Sequence, residues 1–111
     1  MSIEELYKQR MTEDYNENAV IKELFERGVS QNVSACVVRY FQDWLGIRNY
    51  PILPNDKICG LYGCCEEDLE EAMLELGKSC AKREPIQADI DAFKRPIETI
   101  ADLALFLETM V

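Results

Sequence analysis

An all-helical domain is the fold this sequence predicts, on two observations. Apolar residues recur at helical spacing in three long stretches, 33–45, 66–81 and 99–110, and nowhere do apolar and polar residues alternate as a half-buried strand requires. The 111 residues fit one domain with room for a core, and no internal repeat or low-complexity tract divides them. Hydrophobic residues at 48% and charged residues at 30% are globular proportions, which excludes wholesale disorder.

The elements follow in order. Ser2 with Glu5 forms a capping-box pattern before a short amphipathic segment through Arg10, carried by Ile3, Leu6 and Tyr7. Its apolar face is narrow, so a loosely attached arm is expected. Thr12 is the expected cap of a second helix to about Arg27, with Tyr15, Ala19, Val20, Ile21, Leu24 and Phe25 inward and Gly28 as its stop signal. Ser30 or Asn32 caps the clearest helix, in which Val33, Cys36, Val37, Tyr40, Phe41, Trp44 and Leu45 make the inner face and Gly46 follows the end. Burying each of its last four large residues is worth about 1.5 to 3 kcal/mol before entropy is counted.

From Ile47 to Cys65 the periodicity breaks at Pro51, Pro54, Asn55, Gly60 and Gly63. A loop of this length is uncommon in a compact domain and tends to be functional. Its Ile52, Leu53, Ile58, Leu61 and Tyr62 are apolar enough to pack on helices. An acidic helix follows, from Glu66 to about Ala81, with Leu69, Ala72, Met73, Leu76 and Cys80 on its apolar face. Between Glu66 and Glu75 stand six carboxylates and no basic residue, the first of them favoured by the positive end of the helix dipole. A short piece, Ala88 to Phe93, precedes the last helix, which Thr99 caps with Asp102 three positions on; Ile100, Leu103, Ala104, Leu107 and Val111 are its expected inner face, with Phe106 alongside.

Charge and cysteine usage narrow the chemistry. A net charge of −9 argues against nucleic acid, whose phosphates need clustered Lys and Arg, and favours a basic protein partner. Five cysteines, two of them adjacent, make a poor disulfide framework. Reduced thiols in a cytoplasm are therefore expected, and the acidic N-terminus has neither a signal peptide's basic start nor a span-length apolar run. The absence of histidine excludes a Cys-His nucleophile. No Cys-x-x-Cys pair exists among Cys36, Cys59, Cys64, Cys65 and Cys80, so no zinc site is expected and Cys36 and Cys80 read as small core hydrophobes. At Cys65 the helix dipole favours a thiolate while Glu66, Glu67 and Asp68 oppose it, so no catalytic residue is assigned. The carboxylates have no spacing that sets two at a working separation for hydrolysis.

The order of Trp44-Leu45-Gly46-Ile47, Ile52-Leu53-Pro54-Asn55-Asp56-Lys57-Ile58, Leu61-Tyr62-Gly63, the acidic helix and Thr99-Ile100-Ala101-Asp102-Leu103 resembles an acyl carrier protein. In that family a first helix ends in Leu-Gly-Ile and the loop carries Pro-Asp-x-x-Leu. Leu-Gly-x-Asp-Ser-Leu then opens an acidic recognition helix, and Thr-Val-x-Asp-Leu opens the last one. The resemblance spans about Val33 to Met110 and implies an acyl-carrier-like bundle over 31–111, with 1–30 as an N-terminal helical extension. It implies a non-enzymatic protein that docks basic partners through Glu67, Asp68, Glu70, Glu71 and Glu75. The family's phosphopantetheine-bearing serine falls at Cys65 and its preceding aspartate at Cys64, so the resemblance implies a carrier-like domain without the usual arm and with no cofactor. The rival expectation is a small acidic inhibitor or immunity protein covering a basic site on a toxin or nuclease. The bland reading of the same helix, a charged face that only solvates the chain, is the third.

Overall fold

The structure, a computed structural model, describes residues 2–60 and 63–111 together with the backbone of Leu61. The expected packing of Leu61 and Tyr62 therefore lies outside the described residues. The fold is all-α: α1 (Ile3–Thr12), α2 (Glu17–Glu26), α3 (Gln31–Leu45), a distorted single turn α4 (Ile58–Leu61), α5 (Glu66–Leu76), α6 (Gln87–Phe93) and α7 (Ile100–Met110). Among the described residues the only extended pairing is two isolated bridges, Lys57 with Thr99 and Cys59 with Cys64. None of these helices is long and apolar enough to cross a membrane.

Helices α3, α5 and α7 pack on one another around a core of Val33, Val37, Phe41, Leu76, Leu103 and Phe106. Local signals set the ends of α3. The Ser30 hydroxyl accepts from the Val33 amide at 3.3 Å, deciding between the two candidate caps, and Gly46 stops the helix with φ 75°, a conformation only glycine adopts freely. Helix α5 runs on into a π-helical turn, Gly77–Ala81, which closes on Lys82 in the left-handed conformation. There the chain doubles back so closely that a Cβ on Gly77 would stand 2.7 Å from the Arg83 carbonyl oxygen.

The long loop is sewn to α7. The first two helical amides of α7, Ile100 and Ala101, have no partner within their own helix; they donate to the carbonyls of Asp56 (3.0 Å) and Pro54 (2.8 Å). Ile58 N–H in turn donates to Glu98 at 2.9 Å. The anticipated capping box is present, with the Thr99 hydroxyl accepting from Asp102 N–H and Asp102 accepting from Thr99 N–H. Ile52 and Ile58 are fully buried beneath this seam.

Four sequence expectations give way to tertiary effects. Thr12 ends α1 instead of opening α2, which starts at Glu17 behind Asn16, whose side chain accepts from the Asn18 and Ala19 amides. Phe25 is 66% exposed and Ala19 also faces out, because α2 rests mainly on α3 and covers only the stripe of Val20 and Leu24. Trp44 is exposed; Gln42 turns inward in its place, since its amide supplies the buried Tyr50 carbonyl with a hydrogen bond at 2.9 Å. Val111 lies past the last turn and is exposed, Met110 closing the core instead.

The fifth departure concerns the N-terminus. Helix α1 is clamped, not loose: Arg10 grips Asp56 through two hydrogen bonds, Nη1 to Oδ2 at 2.6 Å and Nη2 to Oδ1 at 2.5 Å, and donates to Pro51 O at 2.6 Å. The Tyr15 hydroxyl donates to Ile52 O at 3.0 Å. Burial, reinforced by the charge of Glu17, pushes the Tyr15 phenol up to about 12. A raised folded-state pKa means stability fully present below the unfolded value near 10 and lost as pH climbs from there through 12. In absorbance titrations at alkaline pH, Tyr15 should ionise as a late step that Tyr15→Phe removes. Stability of the wild type should fall more steeply over that window than that of the variant; equal slopes would show that the phenol does not hold the segment down.

Candidate functional site

The candidate site starts at the N-terminus of α5. Gly63 (φ 72°) brings the chain round, and Cys65 takes the N-cap position with extended backbone. Asp68 reaches back and accepts from both Cys65 N–H (3.0 Å) and the Cys65 thiol (3.3 Å). Those hydrogen bonds, the backbone one foremost, hold the Asp68 carboxyl below its usual range. Thiols nearby are not set up as nucleophiles. Burial, followed by the charge of Asp68, pushes Cys64 up to about 11; burial, followed by Glu66, raises Cys59. Cys80 is buried and pushed up to about 12 by burial and by its hydrogen bond with Cys36 across the packing of α3 on the π-turn. No group of three or more metal-ligating side chains occurs among the described residues.

The structure sorts the carboxylates that the sequence offered together. Asp68 is taken up in capping, and Glu75 lies 3.9 Å from Lys78. Glu71 and Glu75 look toward α3, where after burial their charges are the main causes raising the Tyr40 phenol. Glu67, Glu70 and Glu71 are exposed, as is Glu66, which the sequence reading left out; none of the four has an ion-pair partner among the described residues.

A groove of about 580 Å³ flanks the Glu66–Glu70 side of α5, with Leu69, Met73 and Leu74 on one wall and Ile86, Ile90 and Ile97 on the other. It leads into a second hollow that shares Leu69 and Ile97 and reaches Cys59 and Lys57. The far wall exists because α6 is pinned at both ends. Arg83 grips Asp89 through two bonds of 2.8 Å, Asp89 accepts from Ile86 N–H, and Phe93 packs edge-on against Phe106 at 5.6 Å. Only Phe93 of the α6 stripe is drawn into the core; Ile86 and Ile90 stay 61% and 42% exposed. Sequence reading missed this wall, although Ile86, Ile90 and Phe93 stand at i, i+4 and i+7 and carry the signal of an apolar face.

No protein-family model matches the chain, and no curated protein or solved structure is significantly similar to it.

Proposed function

We propose that this protein is an acyl-carrier-like, non-enzymatic docking protein that presents α5 to a basic protein partner and carries no phosphopantetheine arm. The observation behind the reading is the row Glu66, Glu67, Glu70 and Glu71, exposed on one helix with no ion-pair partner among the described residues. Such a row attracts a basic surface and accelerates its encounter. The likeness to a carrier is supported by the order of parts: a capped first helix, a long loop tied to the last helix, and an acidic helix opening at Cys65, where a carrier has its serine. The rival, an acidic inhibitor seated on a basic catalytic site, uses the same charges but has no use for the attachment position.

Two measurements test the proposal. After co-expression with a promiscuous phosphopantetheinyl transferase, the intact mass should be unchanged, and the double variant Cys64→Asp, Cys65→Ser should gain one arm. An arm on the unaltered chain would overturn the first half, and a variant that stays unloaded would favour the inhibitor. Binding to a basic protein partner should weaken steeply with salt, because exposed charges are screened beyond about 8 Å at physiological ionic strength. Reversing Glu67 and Glu71 to Lys should slow association while leaving helix content intact; unchanged affinity and salt dependence would return α5 to the role of a solvated face.

A further inference from the structure

The geometry points to the groove between α5 and α6 as the seat of a cationic amphipathic helix of the partner, its apolar edge laid between Leu74 and Ile86–Ile90 and its Lys or Arg side chains against Glu66 and Glu70. This deepens the docking reading and rests on it. Three exposed apolar side chains, Leu74, Ile86 and Ile90, meet at one depression, whereas exposed apolar residues elsewhere, such as Phe25 and Val111, do not line it. The groove is about 580 Å³, a size that admits a row of inserted side chains as readily as a small ligand, so volume does not choose the occupant.

Charge does choose. Along the α5 wall, Glu66 and Glu70 have no ion-pair partner among the described residues, while Arg95, the basic residue in the groove's lining, is paired with Asp102 (2.6 Å). Lys57, in the continuing hollow, lies among Glu66 and Glu98. Among the described residues, the carboxylates of the α5 wall are thus left without an ion-pair partner, while the groove's own basic residue is already neutralised by Asp102. An anionic amphiphile, such as a fatty acid or an acidic lipid surface, meets repulsion there; a helix with one apolar face flanked by Lys and Arg meets complementary charge and a place for its apolar side chains.

The test uses the full chain and a synthetic peptide of ~18 residues, long enough to form a helix on binding, with Leu on one face and Lys on its flanks, beside a scrambled peptide of equal composition. The amphipathic peptide should bind ~10-fold or more tightly than the scramble. Ile86→Ser with Ile90→Ser, both exposed positions, should erase that advantage and leave binding of the scramble unchanged, and Glu66→Lys with Glu70→Lys should weaken the amphipathic peptide more than Glu67→Lys with Glu71→Lys does. Far-UV circular dichroism checks that each variant is folded, and Leu74→Gln tests the opposite wall should the α6 variant unfold. Equal affinity for the two peptides, or an advantage that survives in the groove variants, would remove the groove from the interface. If both peptides still bind in a salt-dependent way that Glu67 and Glu71 control, the docking reading stands without the groove. If neither binds, or if decanoate occupies the groove and the peptides do not, the groove inference is overturned.

Discussion

Arg10→Ala should cost about 3 to 5 kcal/mol of folding stability, the usual penalty for stripping one partner from a buried ion pair. The two side chains are only 11% and 5% exposed, so Asp56 would be left as an anion in a site with little access to water. Asp56 also accepts from Leu53 N–H at 3.0 Å, and its own carbonyl receives the first helical amide of α7. The pair therefore fastens three parts at once: α1, the loop and the start of α7. Against a typical domain stability of about 5 to 15 kcal/mol this is a large fraction. Urea denaturation followed by circular dichroism measures it, and the exposed Arg83–Asp89 pair serves as the comparison, since solvent screens an ion pair at the surface and leaves it a small contribution. A loss from Arg10→Ala no larger than that from Arg83→Ala would return α1 to the status of a loose arm.

A comparable loss, about 3 to 5 kcal/mol, is expected for Phe106→Ala, a fully buried ring whose removal leaves a cavity the packed helices cannot fill. The same ring receives Phe93 edge-on, with an interplanar angle of 82°, a geometry worth about 0.5 to 1.5 kcal/mol beyond the area it buries. Phe106→Ala should thus loosen α6 as well as weaken the core. Phe93→Ala separates the two effects, because Phe93 is only partly buried and lies outside the central contact of α3 with α7. Hydrogen exchange should show α6 opening in both variants, while urea midpoints fall sharply only for Phe106→Ala. Protected α6 amides in Phe93→Ala would mean that the Arg83–Asp89 clamp alone holds the helix.

How much was readable beforehand depends on how far apart the cooperating residues lie. The all-helical class, the end of α3 at Gly46, the Thr99–Asp102 cap and the buried face of α5 were all determined by the sequence, because caps and apolar stripes act between residues three or four apart; between Ser30 and Asn32 as the cap of α3 only the structure chose. The Ser2 cap of α1 was legible in the same way, but the signal fails at the junction of α1 and α2: Thr12 and Asn16 are both good caps, and local preference does not choose between them.

Tertiary structure alone decided the rest. The Arg10–Asp56 clamp joins positions 46 apart, and the preference for Gln42 over Trp44 as an inward residue follows from a carbonyl on Tyr50 that has to be satisfied once the loop folds over α3. Among the acids of α5, composition made all six equivalent. The fold then put Asp68 into the cap, set Glu75 near Lys78 and turned Glu66 and Glu70 toward a groove whose other wall comes from a helix some twenty residues downstream. The presence of a charged face was a matter of which residues occur and at what period; which of its charges remain available depends on what the folded chain places beside each of them.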